Sequence, residues 1–133
     1  MSRLVVVIQC DIVCKRCSGY ACTRTFYKRE GKFAGYPEDT EYMTMTCGGC
    51  CGMGVAAKLE NLTRKLHLGG HKKEDVVVHL ASCVVSDNYH NPACPHKEYI
   101  KKIVERKGYP LVLGSYISKK ASRLREEKVY QEF

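Results

Sequence analysis

The segment that best predicts the architecture of this chain is residues 45–54, Met45-Thr46-Cys47-Gly48-Gly49-Cys50-Cys51-Gly52-Met53-Gly54. Alternating residues before it predict a β-strand over Glu41–Thr46, and apolar residues at helical spacing after it predict a helix over Met53–Leu68. The segment is therefore the turn between a strand and a helix. Its glycines let the backbone bend sharply and direct several N–H groups to one point. Thiolates at the start of a helix are stabilised, which suits them to metal binding or electron exchange.

Strands and helices alternate along the rest of the chain. Further strands are predicted at Arg3–Gln9, Asp75–Leu80 and Leu111–Leu113. Further helices are predicted at Gly19–Glu30, from Cys94 to Lys107 and, in a highly charged segment, at about 118–130. Such alternation predicts an α/β three-layer sandwich, with a mostly parallel sheet of about four to five strands and helices on both faces. We expect a single domain over residues 1–133, with its core at about 3–117.

Two local expectations follow from the same patterns. The first helix is expected to bury a side formed by Tyr20, Cys22, Phe26 and Tyr27. Residues 84–93 contain turn-forming residues and are predicted to form a loop.

Composition and charge restrict the class of protein. The chain has 133 residues, 44% of them apolar, which is typical of a globular domain. The longest aliphatic run, Leu4–Ile8, is too short to span a membrane, and its flanks do not form a signal peptide. We therefore expect a cytoplasmic protein with no membrane partner. The net charge is +8 when thiols are counted as neutral, and ionised cysteines bound to a metal would reduce it.

The nine cysteines concentrate after the predicted strands. Cys10 and Cys47 each follow directly after a strand, and Cys83 follows the third strand after Ala81-Ser82. The loops just beyond hold Cys14, Cys17, Cys50, Cys51 and Cys94. The carboxyl ends of parallel strands share one edge, and ligands bind outside that edge. The sequence therefore predicts a shared cysteine site there. Clustered cysteines in a reducing compartment are more often metal ligands or redox groups than structural bridges.

At these positions the sequence resembles the CGGC-domain family. The matching motifs are Cys47-Gly48-Gly49-Cys50, Cys17 to Cys22 followed by Gly31-Lys32-Phe33, His79 to Cys83, and Cys94-Pro95-His96. They span roughly residues 4 to 107. The resemblance implies metal binding and brings no known reaction with it. This chain has Cys51 where the family is expected to have proline, and Cys14 is additional.

Cysteine chemistry favours a soft transition metal. The predicted ligands are Cys10, Cys17, Cys22, Cys47, Cys50, Cys83 and Cys94, with Cys14, Cys51, His79 and His96 as possible additions. Zinc is the first expectation, because structural zinc sites take four cysteine or histidine ligands. An iron–sulfur cluster is the second, because C-x-x-C spacing occurs at Cys14/Cys17 and at Cys47/Cys50.

Two other functions stay open on the sequence. Cys47 and Cys50 have the strand–C-x-x-C–helix arrangement of a thiol–disulfide redox pair. The basic outer helices offer a nucleic-acid-binding surface, although their charge is better explained as solubilising surface, so we do not expect a nucleic-acid partner. No esterase, phosphate-loop or dinucleotide motif is present, and whether the protein is an enzyme is left open.

Overall fold

The structure, a computed structural model, describes residues 3–49, 52–85 and 93–115. Its elements in chain order are β1 (Leu4–Gln9), α1 (Tyr20–Tyr27), β2 (Glu41–Thr46), α2 (Met53–Lys65), β3 (Val76–Leu80), α3 (Ser82–Val85), α4 (Lys97–Arg106) and β4 (Leu111–Leu113). The strands form one sheet in the order β2-β1-β3-β4, and every neighbouring pair is parallel. The predicted α/β fold is confirmed, with four strands in the described residues.

The two central strands are the most apolar segments of the chain. All residues of β1 and β3 are buried, because helices cover both faces of the sheet there. Leu4 pairs with Glu41 on one side and with Val76 on the other, so all three strands begin at the same level.

Alternate residues of the central strands form two separate cores. The core on one face joins the strands to α2 and α4, and includes Leu4, Val6, Ile8, Val55, Leu59, Val76, Val78, Leu80, Ile100 and Val104. The core on the other face joins the strands to α1 and the segment after it, and consists of Val5, Val7, Phe26, Phe33 and Ala81. The molecule is therefore a three-layer sandwich in the described residues.

The strand order places a crevice at the carboxyl ends of β1 and β3. The connection from β1 to β2 passes through α1 on one face, and the connection from β3 to β4 passes through α4 on the other. The loops that leave β1 and β3 therefore diverge to opposite faces, and ligands bind in α/β proteins where loops diverge in this way.

Two local expectations need correction. Phe26 is buried as expected, but Tyr20 and Tyr27 are each 69% exposed. Both lie on the same side of Phe26, at about 120° and 100° around a helix of 3.6 residues per turn, which is away from the buried Thr25 and Phe26. Part of the predicted loop over 84–93 is helical, because α3 covers Ser82–Val85. The predicted C-terminal helix at 118–130 lies outside the described residues.

A buried histidine connects three parts of the fold. Its ring in β3 is fully buried, and the Nδ1–H of His79 donates to the carbonyl oxygen of Gly114 at 3.0 Å. Its Nε2 accepts a hydrogen bond from the Tyr36 hydroxyl at 2.7 Å, which assigns the neutral tautomer. Burial lowers the pKa of His79 below its ordinary value, and the charge of Lys32 acts in the same direction. His79 therefore enters the folded state uncharged.

No helix in the described residues has both the length and the apolar composition needed to cross a bilayer.

We predict that His79 makes the protein less stable at mildly acidic pH. The unfolded state, with a histidine pKa of about 6.5, binds a proton before the folded state does. The contribution of His79 to the free energy of unfolding is thus complete above about pH 7.5 and decreases as the pH falls, by up to about 1.4 kcal/mol per unit. Urea denaturation between about pH 7.5 and 5.5 measures this slope.

The variant His79→Gln is expected to show a flatter slope than the wild type, because the titrating group is gone. His67→Gln, at an exposed position after α2, is the matched control and retains the wild-type slope. If the free energy of unfolding depended on pH equally in His79→Gln and the wild type, the assignment of His79 as the titrating group would be contradicted.

Candidate functional site

The loop after β1 is folded tightly enough to bring its cysteines together. Cys14 N donates to the carbonyl oxygen of Cys10 at 3.0 Å, and Cys17 N donates to that of Val13 at 2.8 Å. The side chain of Val13 is only 2% exposed and anchors the loop in the protein. Cys10, Cys14 and Cys17 therefore lie in two successive turns just outside the carboxyl end of β1.

Five cysteines from three segments form one group, which we call the switch-point cluster: Cys10, Cys14, Cys17, Cys22 and Cys83. Burial raises the pKa of Cys14, and the charges of Cys17, Cys10, Asp11 and Cys22 raise it further. Burial also raises the pKa of Cys83 to about 12, and here Cys22, Cys10 and Cys14 contribute in the same direction. A hydrogen bond from the backbone of Cys10 opposes this rise. These sulfurs are thus close enough to repel one another when ionised.

Gln9 orients the first turn of this loop. Its side chain is 92% buried at the end of β1, and its Oε1 accepts a hydrogen bond from the Cys14 thiol at 3.4 Å. The same side chain lies against Gly19, where a Cβ would come within 3.1 Å of Gln9 Nε2. Gly19 also has φ of +81°, so glycine is favoured there for two reasons.

Two serines fix the opposite side of the cluster. Ser82 N donates to Ser115 Oγ at 3.1 Å, and Ser115 N donates to Ser82 Oγ at 3.0 Å. This reciprocal pair joins the end of β3 to the end of β4. Ser115 Oγ also lies 3.2 Å from Cys22 Sγ. Because Ser115 Oγ already accepts from Ser82 N, its own proton is free to point at the Cys22 sulfur.

The central Cys-Gly-Gly segment begins against the same loop. Cys47 is buried, and its Sγ accepts a hydrogen bond from Asp11 N at 3.5 Å. Gly48 and Gly54 touch through their backbones, because a Cβ on either would come within 2.7 Å of the other's Cα. This contact holds the start of α2 against the end of β2. The predicted ligands Cys50 and Cys51 lie outside the described residues.

Cys94 approaches the edge from the segment before α4. Its backbone N–H donates to the carbonyl oxygen of Val84 at 2.8 Å, one residue beyond Cys83. Its Sγ accepts a hydrogen bond from His96 N at 3.4 Å. Cys94 is half-buried against the same core that Cys10 and Cys83 contact.

The predicted site residues thus lie in different parts of the fold. Cys10, Cys17, Cys22 and Cys83 lie in the switch-point cluster together with Cys14. Cys47 and Cys94 join the edge on the face of α2 and α4. His79, a possible additional ligand, uses both ring nitrogens in the hydrogen bonds described above, and His96 is half-buried just before α4.

All seven described cysteines are free thiols: Cys10, Cys14, Cys17, Cys22, Cys47, Cys83 and Cys94. Within the described ranges, no three histidine, cysteine, aspartate or glutamate side chains already have an arrangement that would hold a metal ion. The sulfurs are gathered at one edge, but they are not set in a coordination polyhedron.

Sequence reasoning missed the residues that position these sulfurs. Gln9 could have been identified from the sequence, since it is the polar residue that ends a long apolar run. Nothing in the local sequence marks Ser82 and Ser115, because only the pairing of β3 with β4 brings two serines 33 residues apart into contact.

A family model matches most of the chain. The model of the CGGC domain matches residues 4–116, which include the whole sheet and every cysteine. No curated protein sequence matches the chain, and no solved structure does so either.

We predict that Gly54→Ala destabilises the protein by about 1–3 kcal/mol, because the added methyl group overlaps the Gly48 backbone. At a helix position without such a contact, the same change from glycine to alanine would stabilise the protein by about 1 kcal/mol. Urea denaturation of the reduced protein measures the sign. Ala57→Gly, at an exposed position of α2, calibrates the glycine–alanine difference without the contact. A Gly54→Ala variant more stable than the wild type would refute the backbone contact.

We predict that Ser115 and Cys22 are energetically coupled. A double-mutant cycle of Ser115→Ala and Cys22→Ala in reduced, chelator-treated protein should give a coupling of about 0.5–1.5 kcal/mol. The matched cycle replaces Ser115→Ala with Ser82→Ala, which removes the other hydroxyl of the reciprocal pair. That cycle should give a clearly smaller coupling. Equal couplings in the two cycles would mean that Ser115 acts only through the strand ends.

Proposed function

The chain belongs to the CGGC-domain family, and from this membership we propose that it binds a soft transition metal ion through cysteine thiolates at the carboxyl edge of its sheet. The observation that carries the proposal is the switch-point cluster. Its five sulfurs come from the β1–α1 loop, from α1 and from α3 just after β3, and each interacts electrostatically with Cys14, with Cys83 or with both. Packing as small hydrophobic residues does not require sulfurs from separate segments to meet at a ligand-binding edge.

The electrostatics of the cluster favour a cation. Several half-buried thiols at one place resist ionisation, as the raised pKa values of Cys14 and Cys83 indicate. A bound divalent ion reverses this, because it neutralises the thiolates and displaces their protons. Soft sulfur ligands select zinc, copper(I) or iron–sulfur clusters and reject magnesium and calcium.

We propose that zinc is the metal, with an iron–sulfur cluster as the alternative. Cys10, Cys17, Cys22 and Cys83 would provide four thiolates, which matches the number in a structural zinc site. Cys14 lies in the same cluster and would serve as a fifth donor. Cys47, Cys50 and Cys94 would serve a second ion or a cluster. Because the described donors are not preset for a metal, binding would involve adjustment of the loop between β1 and α1.

The second candidate is thiol–disulfide exchange by Cys47 and Cys50. The observation in its favour is the buried Cys47 sulfur, which directly follows β2 and accepts an N–H hydrogen bond from Asp11. Metal binding explains the larger number of neighbouring sulfurs, since a dithiol enzyme needs two or three.

The test is elemental analysis and visible absorption of full-length protein purified anaerobically. We expect stoichiometric zinc in a colourless protein; stoichiometric iron with visible absorption would support the cluster instead. The variant Cys10→Ser/Cys83→Ser should lose the metal, because it removes two central sulfurs of the switch-point cluster. Cys51→Ser, where the family pattern has no cysteine, is the matched control and should retain it.

A metal-free wild-type protein with a reversible disulfide would contradict the metal proposal and favour redox exchange. Loss of metal in Cys47→Ser/Cys50→Ser with retention in Cys10→Ser/Cys83→Ser would place the metal at the central loop and overturn the assignment to the switch-point cluster. Circular dichroism of each variant separates metal loss from unfolding.

A further inference from the structure

The two edges of the sheet differ in how they are protected. β4 has three residues and follows Pro110, so it offers little edge for another strand. β2 has six residues, no proline and an uninterrupted register with β1. In the described part of the chain nothing pairs with the outer side of β2. An edge of this kind is a template for another strand.

The hydrogen bonds to β1 show which groups of β2 face outward. Glu41 N donates to the carbonyl oxygen of Arg3, just before β1, at 2.8 Å, and Cys47 N donates to that of Gln9 at 2.9 Å. The backbone groups of the odd-numbered residues therefore point toward β1. The even-numbered residues therefore direct N–H and C=O groups to the open edge. Lys58 Nζ donates to the carbonyl oxygen of Thr46 at 3.0 Å and covers the last of these. Within the described residues, nothing bonds to the outward backbone groups of Tyr42 and Thr44.

An apolar groove runs beside this edge, between β2 and α2. Its volume is about 680 Å³, and it is lined by Met43, Thr44, Met45, Ala57, Lys58, Asn61, Leu62 and Lys65. Both charges in the lining are positive. At the opposite end of β2 from Lys58, the Glu41 side chain is 56% exposed and bonds to His71. The edge thus has an acidic amino end and a basic carboxyl end.

We propose that this edge pairs with β2 of a second copy of the chain, antiparallel and around a twofold axis at Met43. In this register Tyr42 pairs with the partner's Thr44, and Thr44 with the partner's Tyr42. The pairing therefore uses the outward backbone groups of these two residues, and it extends the sheet from four to eight strands.

The side chains support a second copy as the occupant. Residues directly opposite in an antiparallel pair lie on the same face, so Met43 meets the partner's Met43 and the two apolar grooves join. Glu41 lies opposite the partner's Met45, which lines the groove together with the partner's Lys58. Reversing the strand direction thus brings the acidic end of each edge to the basic end of the other. The segment after β4 begins at the far edge of the sheet, three strands away.

The test is sedimentation of the full-length protein over a range of concentrations, in reducing buffer so that no disulfide joins the copies. We expect the wild type to be a dimer. Thr44→Pro removes an outward N–H that β2 does not use in its own sheet, and proline is tolerated at such edge positions. It should weaken dimerisation at least about tenfold, because two equivalent hydrogen bonds are lost. Thr44→Ala keeps the N–H and is the matched control.

Charge reversal provides a second test that does not depend on proline. Lys58→Glu should weaken the dimer by placing two acids together, and adding Glu41→Lys in the same chain should restore it. A monomeric wild type would overturn the proposal. This holds also for a monomer in which hydrogen exchange shows that the Thr44 amide is protected by the chain's own C-terminal segment. A Thr44→Pro protein that remains as dimeric as Thr44→Ala would also overturn it.

Discussion

The parallel pairing of β1 with β3 is the constraint on which the rest of the structure depends. Both strands are buried on both faces, so their backbone groups have no solvent partner and must bond to one another. The aliphatic side chains fix the register, because a shift of one residue would exchange the two cores. Once this pair is formed, the loops that follow the two strands must leave the sheet at the same edge. The sulfur atoms meet there as a consequence of packing among residues that are not cysteines.

The electrostatic state of the edge follows from that burial. Cysteines that packing brings together lose hydration and feel one another's charge, and both effects favour the neutral thiol. The neighbouring groups compensate in part: Asp11 N faces the Cys47 sulfur, and the Ser115 hydroxyl faces that of Cys22. The edge therefore combines thiols that resist ionisation on their own with hydrogen-bond donors that stabilise the thiolates when a cation is present.

Sequence patterns predicted the sheet better than they predicted the surroundings of the sulfurs. The bounds of β2 and β4 agree with the prediction, because alternating residues and short aliphatic runs are typical of strands. The first helix was harder, since aromatic residues such as Tyr20 are apolar enough to be counted as core and yet remain exposed on a short helix.

Contacts between distant segments were not accessible to pattern reasoning. Nothing in local sequence marks Ser82 and Ser115 as partners, because their contact depends on the sheet being complete. His79 could equally have faced the crevice or the core, and its choice depends on Tyr36 and Gly114, which lie 43 and 35 residues away. The ligand assignments stay predictions for the same reason.

The contact between Cys22 and Ser115 has a consequence for the order of events during biosynthesis. The two residues are 93 positions apart, so a ribosome exposes Cys22 long before the serine that holds it. Until β4 has been made and has paired with β3, the helix carrying Cys22 lacks its anchor at the sheet edge. The nascent chain therefore presents unfinished thiols while the 93 positions between Cys22 and Ser115 are synthesised, and the switch-point cluster is completed only after β4 has emerged.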